Sequence, residues 1–518
     1  MSQKRTANGH EYDVSGNVSN GLPCNGVITP ASSFAQAASE RFDVIVIGAG
    51  FAGLTAARDL TLSGYHVLVL EGRDRIGGRT WTSNVDGHLY EMGGTWIHWG
   101  QPHVYRELAR YNLHQTFFAT DDVTDQPHTV LVVDDGKKQY LSQEEFDKLS
   151  DHAFRTYCNV DGCEGKTVIP FPNDALYNPD ARAYESLSVN DRLNQVRKSL
   201  TKTQICILKG IVEGIVGNED FDKAGFFDVL RWWALSGYST RGITEFTELY
   251  KVREGQTNFA MNLFEEAMQS QRLSYVFNAA VESVSDKNDA VVATLKNGQQ
   301  FQGRRLISTL PLNILPDIKF DPRLSSIKDE AARIGQIHNG AKIHFKINGL
   351  ENRPLAAICY PKNRFVSSLG DGRTETEGSG SRHMVVFGRN DASLSVEDDA
   401  KSFYAEAREA FPDLPIEKVE SPVLHPSMHT IQANWWNQLW HDWSRDEYAK
   451  GGWCMYRPDF AFRYQEALRK RAGNVLFASA DWALGWRGFI DGAIEEGTRV
   501  AFEVKGEMAP STFTKANL

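Results

Sequence analysis

The sequence predicts an α/β protein in which a Rossmann-type dinucleotide-binding domain is interleaved with a second domain of α+β type. Three observations predict this architecture. A wholly apolar strand runs into a glycine-rich turn and a helix near residue 48, strand-rich pieces recur near 275–310 and 474–478, and two long segments of helical pattern separate the three pieces. At 518 residues, the chain is long enough to bury more than one core.

Composition excludes several classes of protein. Lysine and arginine number 56 against 66 aspartates and glutamates, with no basic block, so nucleic acid is not an expected partner. The six cysteines are too scattered for a disulfide scaffold and suit a reducing compartment. Because no run of about 20 apolar residues exists, the sequence predicts no membrane span. The net charge of −10 fits weak steering of cationic small molecules.

The first ordered element is a βαβ unit. The strand Asp43–Ile47 is wholly apolar after its first residue, which is typical of a strand buried on both faces of a parallel sheet. The turn Gly48–Gly53 follows at once and opens a helix, and a second strand over 66–70 closes on Glu71. The sequence therefore predicts that the chain crosses back to a parallel neighbouring strand within about 30 residues.

Each glycine of this turn has a physical task in binding a dinucleotide. Gly48 makes the tight turn, Gly50 lets a pyrophosphate approach the backbone, and Gly53 allows close packing of helix on sheet. The helix N-terminus offers free N–H groups to the phosphates, and Glu71 can accept hydrogen bonds from ribose hydroxyls. The context of strand, turn, helix and acidic residue favours a dinucleotide site.

Two further glycine-rich turns follow the first. One spans 71–80 and carries Arg73 and Arg79, which can hold phosphate in a bidentate manner, and the other spans 90–96. Three such turns within about 50 residues predict an extended cofactor threaded through the domain.

The remaining elements fix the domain boundaries. Strands with a hairpin turn are predicted over 275–310, and the strand Asn474–Ala478 leads into a helix with one apolar face. The sequence predicts a flexible N-terminal arm over 1–40, a cofactor domain made of 41–116, 255–330 and 446–508, and a substrate domain made of 117–254 and 331–445.

Two local patterns are assigned to ordinary structure. Trp436, Trp440 and Trp443 fall at i, i+4 and i+7, a spacing that predicts a helix with an aromatic core stripe. Cys158 and Cys163 have no partner pair or nearby histidine with zinc-ligand spacing, so they are predicted to lie in a loop without metal.

Several of these motifs together resemble the flavin-containing amine oxidases, the family of monoamine and polyamine oxidases. The run Asp43–Trp96 carries the likeness, and Asp481–Gly497 resembles the family's C-terminal flavin segment. Gly451–Trp453, preceded by Trp443, resembles the strand that crosses the flavin in monoamine oxidases. The likeness covers nearly all of 41–508 and is strongest to the soluble fungal monoamine oxidases, which share the Asp-Trp-Ala-Leu-Gly-Trp motif.

The resemblance implies FAD as the cofactor, held without a covalent link. Membrane-bound monoamine oxidases attach FAD through a cysteine whose position here is Gly452, and Cys454 lies about 7 Å further along an extended strand. The helix that begins at Ile490 would point its positive end at the flavin. The residues that the resemblance assigns to FAD are Gly48, Gly50, Ala52, Gly53, Glu71, Arg73, Arg79, Gly94, Thr95, Trp96, Val281, Trp443, Ala480 and Ile490.

The resemblance also implies three catalytic residues. Trp453 and Phe489 match the two facing rings of the family's aromatic cage, which would sandwich a small amine in front of the flavin. Apolar walls exclude water and favour the neutral amine over its hydrated cation. Lys342 matches the lysine that reaches flavin N5 through a water, and a lysine on an apolar strand must find partners or shift its pKa.

The implied reaction is oxidation of a primary amine, with secondary amines left open, to an imine that water hydrolyses to an aldehyde or ketone plus ammonia. Dioxygen would be reduced to hydrogen peroxide. The last three residues, Ala516-Asn517-Leu518, resemble a variant of the peroxisomal address, which predicts a peroxisomal location and otherwise a cytoplasmic one. A homo-oligomer is compatible with the sequence.

Several alternatives stay open at this point. An L-amino-acid oxidase would need an arginine for the substrate carboxylate, for which Arg231 and Arg241 are candidates. A polyamine oxidase would need acidic residues along a channel, for which the candidates are Glu213, Glu245 and Glu248. A protein that binds FAD without turnover is the alternative from a different class, and an NAD-dependent dehydrogenase would lack the second glycine turn. Residues predicted to line the substrate cavity are Trp232, Trp233 and Tyr238.

Overall fold

The computed structural model describes residues 4–12, 18–34, 41–85, 87–120, 129–348, 355–360, 365–373, 381–389 and 435–510. The strands are β1 Arg5–Tyr12, β2 Val18–Pro23, β3 Arg41–Ile47, β4 Val67–Leu70, β5 Thr82–Val85, β6 His88–Glu91, β7 Phe117–Ala119, β8 Thr129–Asp134, β9 Lys137–Ser142, β10 Tyr250–Val252, β11 Leu273–Val276, β12 Val281–Asp286, β13 Val291–Leu295, β14 Gln300–Ser308, β15 Lys319–Asp321, β16 Gly340–Asn348, β17 Leu355–Tyr360, β18 Phe365–Arg373, β19 Ser381–Arg389, β20 Trp435–Asp442 and β21 Val475–Phe477. The α-helices are α1 Phe51–Leu62, α2 Pro102–Arg110, α3 Gln143–Cys158, α4 Arg182–Glu185, α5 Val189–Val196, α6 Lys202–Val216, α7 Phe226–Leu235, α8 Thr240–Thr244, α9 Gln256–Gln269, α10 Ser326–Ile334, α11 Ala461–Arg469 and α12 Ile490–Glu507.

An eight-stranded sheet carries the predicted βαβ unit. Its strand order is β11-β4-β3-β14-β13-β12-β15, with β21 alongside β14, and the strands β11, β4, β3, β14 and β21 are parallel neighbours. Val44 and Val46 of β3 pack with α1, α9 and α12, whereas Ile45 and Ile47 face the other core. The prediction of a strand buried on both faces is therefore confirmed.

A nine-stranded sheet forms the second layer system, in the order β2-β1-β20-β16-β19-β18-β17-β8-β9. All its neighbouring pairs are antiparallel except β17 with β8. The strands of the eight-stranded sheet come from the segments 41–116, 255–330 and 446–508, and β8, β9 and β16–β20 come from 117–254 and 331–445. The residue boundaries of the two domains stay a prediction.

The prediction of a flexible arm over 1–40 is wrong for residues 5–12 and 18–23, which form β1 and β2. β1 pairs with β20, with His10 opposite Trp440. Thr6 Oγ1 donates to Asp74 Oδ1 over 2.6 Å, so the hairpin also contacts the loop that follows β4. The segment has few apolar residues, and it is held by backbone pairing and polar contacts that composition does not reveal.

The tryptophan stripe is not helical, which corrects the first of the two local predictions. Trp436 and Trp440 lie in β20, and Trp443 follows the end of that strand. A spacing of four residues returns to the same face in a strand as well as in a helix, so the first two positions could not separate the two. The loop prediction for the cysteines is wrong for Cys158, which ends α3, whereas Cys163 lies in an exposed bend. No cluster of three or more metal-ligating side chains occurs in the described part of the chain.

Candidate active site

One long cavity runs past the carboxyl ends of β3 and β4. Ile47, Gly48, Leu70 and Glu71 line it there, and it continues to Trp232 at the opposite end. The residues assigned to a cofactor that line the cavity are Gly48, Gly50, Ala52, Glu71, Arg73, Arg79, Gly94, Thr95, Trp96, Val281, Trp443, Ala480 and Ile490, and the assigned catalytic residues Lys342, Trp453 and Phe489 line it too. Gly53 is the exception, because it serves packing: a Cβ there would lie 2.0 Å from the Gly48 carbonyl oxygen.

Two glycine turns face each other across a cleft of bare backbone. Gly50 forms a backbone bridge with Gly77, and a Cβ on Gly50 would lie 3.8 Å from the Gly78 Cα. Gly50 is also the N-cap of α1, so the free N–H groups of that helix open onto the cleft. Bare backbone and a helix N-terminus are what a pyrophosphate needs, and the residues present therefore fit a dinucleotide.

Glu71 and Arg73 are held in place beside this cleft. Glu71 Oε2 accepts from Ala49 N over 2.6 Å and Oε1 accepts from Arg73 N over 2.9 Å. The Arg73 guanidinium forms an ion pair with Asp446, which keeps the pKa of that buried carboxyl below its usual range. Both polar side chains are thus oriented by protein partners before any ligand arrives.

Arg79 ties three segments together at the middle of the cavity. Its Nη2 lies 2.7 Å from Asp481 Oδ1, and its Nη1 donates to the Gly452 carbonyl oxygen over 2.8 Å. The other carboxylate oxygen of Asp481 accepts from Leu312 N over 2.7 Å. The second glycine turn, the C-terminal motif and the loop residue before Trp453 therefore meet at one guanidinium.

Beyond Arg79, the walls become backbone and aromatic. Trp443 Nε1 donates to the Met92 carbonyl oxygen over 3.0 Å, which places the indole against the third glycine turn. α12 begins at Ile490 on the cavity wall, so its positive end points into this region. A flat ring system with developing negative charge suits this end.

Lys342 reaches this region from β16 with its ammonium in contact with the third glycine turn. Nζ donates to the Gly93 carbonyl oxygen over 3.0 Å and to the Thr95 hydroxyl, and it lies 5.2 Å from the centre of the Trp96 ring. Burial lowers the pKa of Lys342 to about 8, although the carboxylate of Asp371 opposes that shift. The sequence expectation that this lysine must find partners or shift its pKa is met in both respects.

The two predicted cage residues line the same cavity and are held differently. Trp453 Nε1 donates to the Ile215 carbonyl oxygen over 2.8 Å. Phe489 packs against Trp232, with ring centres 4.9 Å apart, and against Trp486 at 5.1 Å. Their role as two rings that sandwich a substrate stays a prediction.

Of the three glutamates that the sequence offered for a polyamine channel, Glu248 lines the cavity. It lies in the π-helical turn Glu245–Leu249 and lines the cavity beside Thr247. Of the other two glutamates considered with it, Glu213 is buried on α6 away from the cavity lining and Glu245 lies 3.6 Å from His98 Nε2. A π-helical turn has no reliable sequence signal, and such turns occur frequently at functional sites.

The structure corrects the predictions about arginines and aromatic lining. Arg231 is buried and donates to the carbonyl oxygens of Gly485 and Arg487, and Arg241 is exposed, so neither lines the cavity. Trp232 lines the cavity as predicted. Trp233 and Tyr238 do not, because their polar atoms donate to backbone carbonyls elsewhere in the core.

The chain is similar to one protein family, to several curated proteins and to solved structures. Residues 51–505 match the family model for the flavin containing amine oxidoreductases. A pseudooxynicotine dehydrogenase from a Pseudomonas species is 30% identical over 464 residues, which cover 89% of this chain and 86% of that protein. An (S)-6-hydroxynicotine oxidase from Paenarthrobacter nicotinovorans is 25% identical over 474 residues, covering 88% and 97%. A triple mutant of putrescine oxidase shares the fold with a TM-score of 0.71 at 20% identity, covering 90% of this chain and 99% of its own.

Proposed function

Because this chain belongs to the flavin-containing amine oxidoreductases and oxidises amines with FAD, we propose that it is an oxidase of primary amines that uses dioxygen. The amine loses a hydride from its α carbon and a proton from its nitrogen to give an imine, and dioxygen is reduced to hydrogen peroxide. Water hydrolyses the imine to an aldehyde or ketone and ammonia. Secondary amines react by the same loss of hydride and proton. The observation that carries the proposal is that Lys342, Trp453 and Phe489 line the cavity that begins at the dinucleotide cleft.

FAD bound in this cavity supplies the two-electron acceptor for the amine. The protein positions the amine and surrounds it with apolar side chains. Trp453 and Phe489 would flank the amine and exclude water, which lowers the free energy of the neutral amine relative to its cation. No separate base is needed for an amine that binds in its neutral form.

Non-covalent attachment of FAD is part of the proposal. Gly452 occupies the position of the attaching cysteine, and Cys454 is fully buried outside the cavity lining. Burial raises the pKa of the Cys454 thiol well above its ordinary value, which disfavours the thiolate needed for attack. Denaturation should release all the FAD into solution.

A dehydrogenase with another electron acceptor is the second candidate. One relative is named a dehydrogenase and another an oxidase, and both names refer to nicotine derivatives. The aromatic lining near Trp232 and Trp96 suits amines that carry an aromatic ring. An L-amino-acid oxidase is disfavoured because Arg231 and Arg241 stay outside the lining.

The test is anaerobic mixing of the purified holoenzyme with an arylalkyl primary amine, the corresponding L-amino acid and a cyclic secondary amine, with flavin absorbance as the readout. Bleaching by the primary amine, followed by recovery with dioxygen and one equivalent of hydrogen peroxide, supports the proposal. Recovery only with an added quinone or ferric acceptor would favour the dehydrogenase. Bleaching by the amino acid alone would contradict the proposal.

Variants test the cage residues. We expect Trp453→Ala and Phe489→Ala to lower kcat/KM for the amine by about 10- to 100-fold, which is about 1.4 to 2.7 kcal/mol of transition-state stabilisation. Phe502→Ala is the control, since Phe502 lies on α12 with 74% of its surface exposed. Equal losses in all three variants would remove the cage from the proposal.

We also propose a peroxisomal location. Its support is the C-terminal Ala516-Asn517-Leu518, which lies outside the described residues, and a product, peroxide, that peroxisomes remove. A fluorescent fusion at the N-terminus should lose its punctate distribution when these three residues are deleted.

A further inference from the structure

We propose that the buried ion pair of Lys251 and Asp371, which lies behind the cavity wall, sets the charge of Lys342 and with it the pH range in which the reduced enzyme is reoxidised. Asp371 holds the proton on Lys342, and Lys251 limits that effect. The inference rests on the proposed function, because Lys342 is one of the residues assigned to it. Neither member of the pair lines the cavity, so both act as positioning residues.

Two residues of β16 contact the third glycine turn from the same side. Lys342 Nζ donates to the Gly93 carbonyl oxygen over 3.0 Å, and His344 Nε2 lies 2.9 Å from the Glu91 carbonyl oxygen. Residues two apart on a strand share one face. Lys342 and His344 are therefore neighbours on that face, one at the cavity wall and the other behind it.

Behind the wall, three strands bring a cation, an imidazole and a carboxylate together. Lys251 Nζ on β10 lies 2.7 Å from Asp371 Oδ1 on β18, and His344 Nδ1 lies 3.3 Å from Asp371 Oδ2. The exposed fractions of the three side chains are 6% for Lys251, 1% for Asp371 and 0% for His344. The charges of this cluster are thus enclosed by protein next to Lys342.

The contacts of the His344 ring show which residue balances the carboxylate. A carbonyl oxygen only accepts, so Nε2 donates to Glu91 and carries the hydrogen of the neutral ring. Burial lowers the pKa of His344, although Asp371 opposes that shift, and the neutral ring is the favoured form. Lys251 is therefore the cation that balances Asp371.

The pair acts on Lys342 through charge. In the described part of the chain, no hydrogen bond or ion pair joins Lys342 to either member, and its ammonium donates to the third glycine turn instead. Burial lowers the pKa of Lys342, Asp371 opposes that shift, and Lys251 adds to it, with Asp371 the stronger of the two. Charges away from solvent are poorly screened, so both effects reach the cavity wall.

Other titratable groups also surround Lys342. Together with the pair, the titratable groups that face it are Glu91 on β6, Lys251 on β10, His344 on β16 itself, Asp371 on β18 and His441 on β20. Because Glu91 also accepts from Gln256 N over 2.9 Å, its substitution would disturb the glycine turn. The ion pair lies outside that turn, and its charges can be changed without altering the cofactor cradle.

The charge of Lys342 matters for reoxidation because dioxygen becomes negatively charged on the way to peroxide. Dioxygen takes two electrons and two protons from the reduced cofactor and becomes hydrogen peroxide. An ammonium on the cavity wall stabilises the negative charge that arrives before the protons. A carboxylate that keeps Lys342 protonated therefore extends reoxidation to higher pH.

The experiment titrates Lys342 without any amine. The holoenzyme is reduced with dithionite, and the rate of reoxidation by dioxygen and the flavin midpoint potential are measured from mildly acidic to alkaline pH. The wild type should show an inflection near pH 8. Asp371→Asn should move it to lower pH by about one unit, because a negative neighbour is lost, and Lys251→Met should move it to higher pH by about one unit.

Opposite shifts separate an effect of charge from an effect of structure, because either substitution breaks the same ion pair. The double variant Lys251→Met/Asp371→Asn should titrate about half a unit below the wild type, since Asp371 acts more strongly. The double variant leaves no unpaired buried charge, so it decides the question if a single variant does not fold. Shifts in the same direction, or a double variant that titrates with the wild type, would overturn the inference.

The matched control is Glu107→Gln. Glu107 forms a buried ion pair with Arg58, also over 2.7 Å, outside the cavity lining. The control should keep the inflection of the wild type. An equal shift in the control would assign the effect to lost stability and would contradict the inference. The dissociation constant of FAD should be the same in all variants, because the glycine turn is unchanged.

Reduction by dithionite separates this inference from the proposed function. If no amine bleaches the enzyme but the inflection moves in opposite directions in the two single variants, the proposed oxidation fails and the role of the pair stands. If primary amines are oxidised but the inflection does not respond to the pair, the reverse holds.

Discussion

At the nucleotide end of the cavity, the charged side chains already have partners within the protein, whereas the carboxyl group of Glu248 at the amine end has none among the described residues. Glu71 accepts two backbone hydrogen bonds, and Arg79 bridges Asp481 and the Gly452 carbonyl. The charged side chains at the nucleotide end are thus held by contacts within the protein. The end where we propose that the amine binds keeps one carboxyl group, Glu248, that has no partner among the described residues.

The two ends also differ in how they are assembled. The pyrophosphate cleft comes from turns within about 30 residues of one another, and its lining is glycine backbone. The amine end takes Trp232, Glu248, Lys342, Trp453 and Phe489 from separate elements of the chain. The proposed cofactor site therefore depends on local segments of the chain, whereas the proposed substrate site depends on how distant elements pack together.

The largest effect should come from a methyl group at the nucleotide end. Gly50→Ala should fold, because the new Cβ meets nothing nearer than 3.8 Å, but it should weaken FAD binding by at least about 100-fold. The methyl group would occupy the approach of the pyrophosphate. Equilibrium dialysis of FAD against apo-protein measures this, with circular dichroism as the check on folding.

Gly506→Ala is the control for this substitution, because its Cβ would meet nothing within 4 Å and the residue lies near the end of α12. If Gly50→Ala bound FAD as tightly as the control, the bare-backbone cleft would not be the phosphate site. The contrast between the two ends would then be lost.

An intermediate effect should come from Lys342, which stands where the two ends meet. Because burial lowers its pKa to about 8, the ammonium predominates below pH 8 and the neutral amine above it. If the Lys342 ammonium assists reoxidation of the reduced enzyme by the electron acceptor, the rate of reoxidation should fall about 10-fold or more as pH rises through 8. Lys342→Met should be slow throughout and lack this inflection.

The groups that act on Lys342 are the carboxylates of Asp371 and Glu91, which raise its pKa, and Lys251, which lowers it. Lys328→Met is a matched control, since Lys328 is also buried with a pKa lowered to about 7 but lies outside the cavity lining. The control should keep the inflection near pH 8. An inflection retained in Lys342→Met would assign the titration to another group.

The smallest effect should come from the N-terminal hairpin of β1 and β2, which contacts the loop after β4 at the nucleotide end. Thr6→Val removes the hydrogen bond to Asp74 and should speed FAD release by about 3- to 10-fold, which corresponds to about 1 kcal/mol. Flavin fluorescence after dilution measures the release rate. Ser19→Ala, on the exposed face of β2, is the control, and equal rates in both variants would show that the hairpin does not influence the loop.

The sequence predicted most of the nucleotide end. Gly48, Gly50 and Glu71 lie in one short segment, and the requirements of a tight turn, a close approach and a ribose partner restrict residue type directly. The prediction of a helix at Trp436 and Trp440 was wrong, because a four-residue spacing suits a strand as well as a helix. The prediction of a flexible arm was wrong for the N-terminal hairpin, whose order depends on the partner strand β20.

The sequence by itself determined the parallel sheet and the dinucleotide turn, because both depend on short-range patterns that the chain carries in order. Its resemblance to the amine oxidases implied the family and the assignments of Lys342, Trp453 and Phe489. Only the tertiary structure decided that Arg231 donates to the backbone carbonyls of Gly485 and Arg487 and that Glu248 has no partner among the described residues. Whether a charged side chain is free for a ligand depends on which distant atoms pack around it. That information is absent from any local segment of the chain.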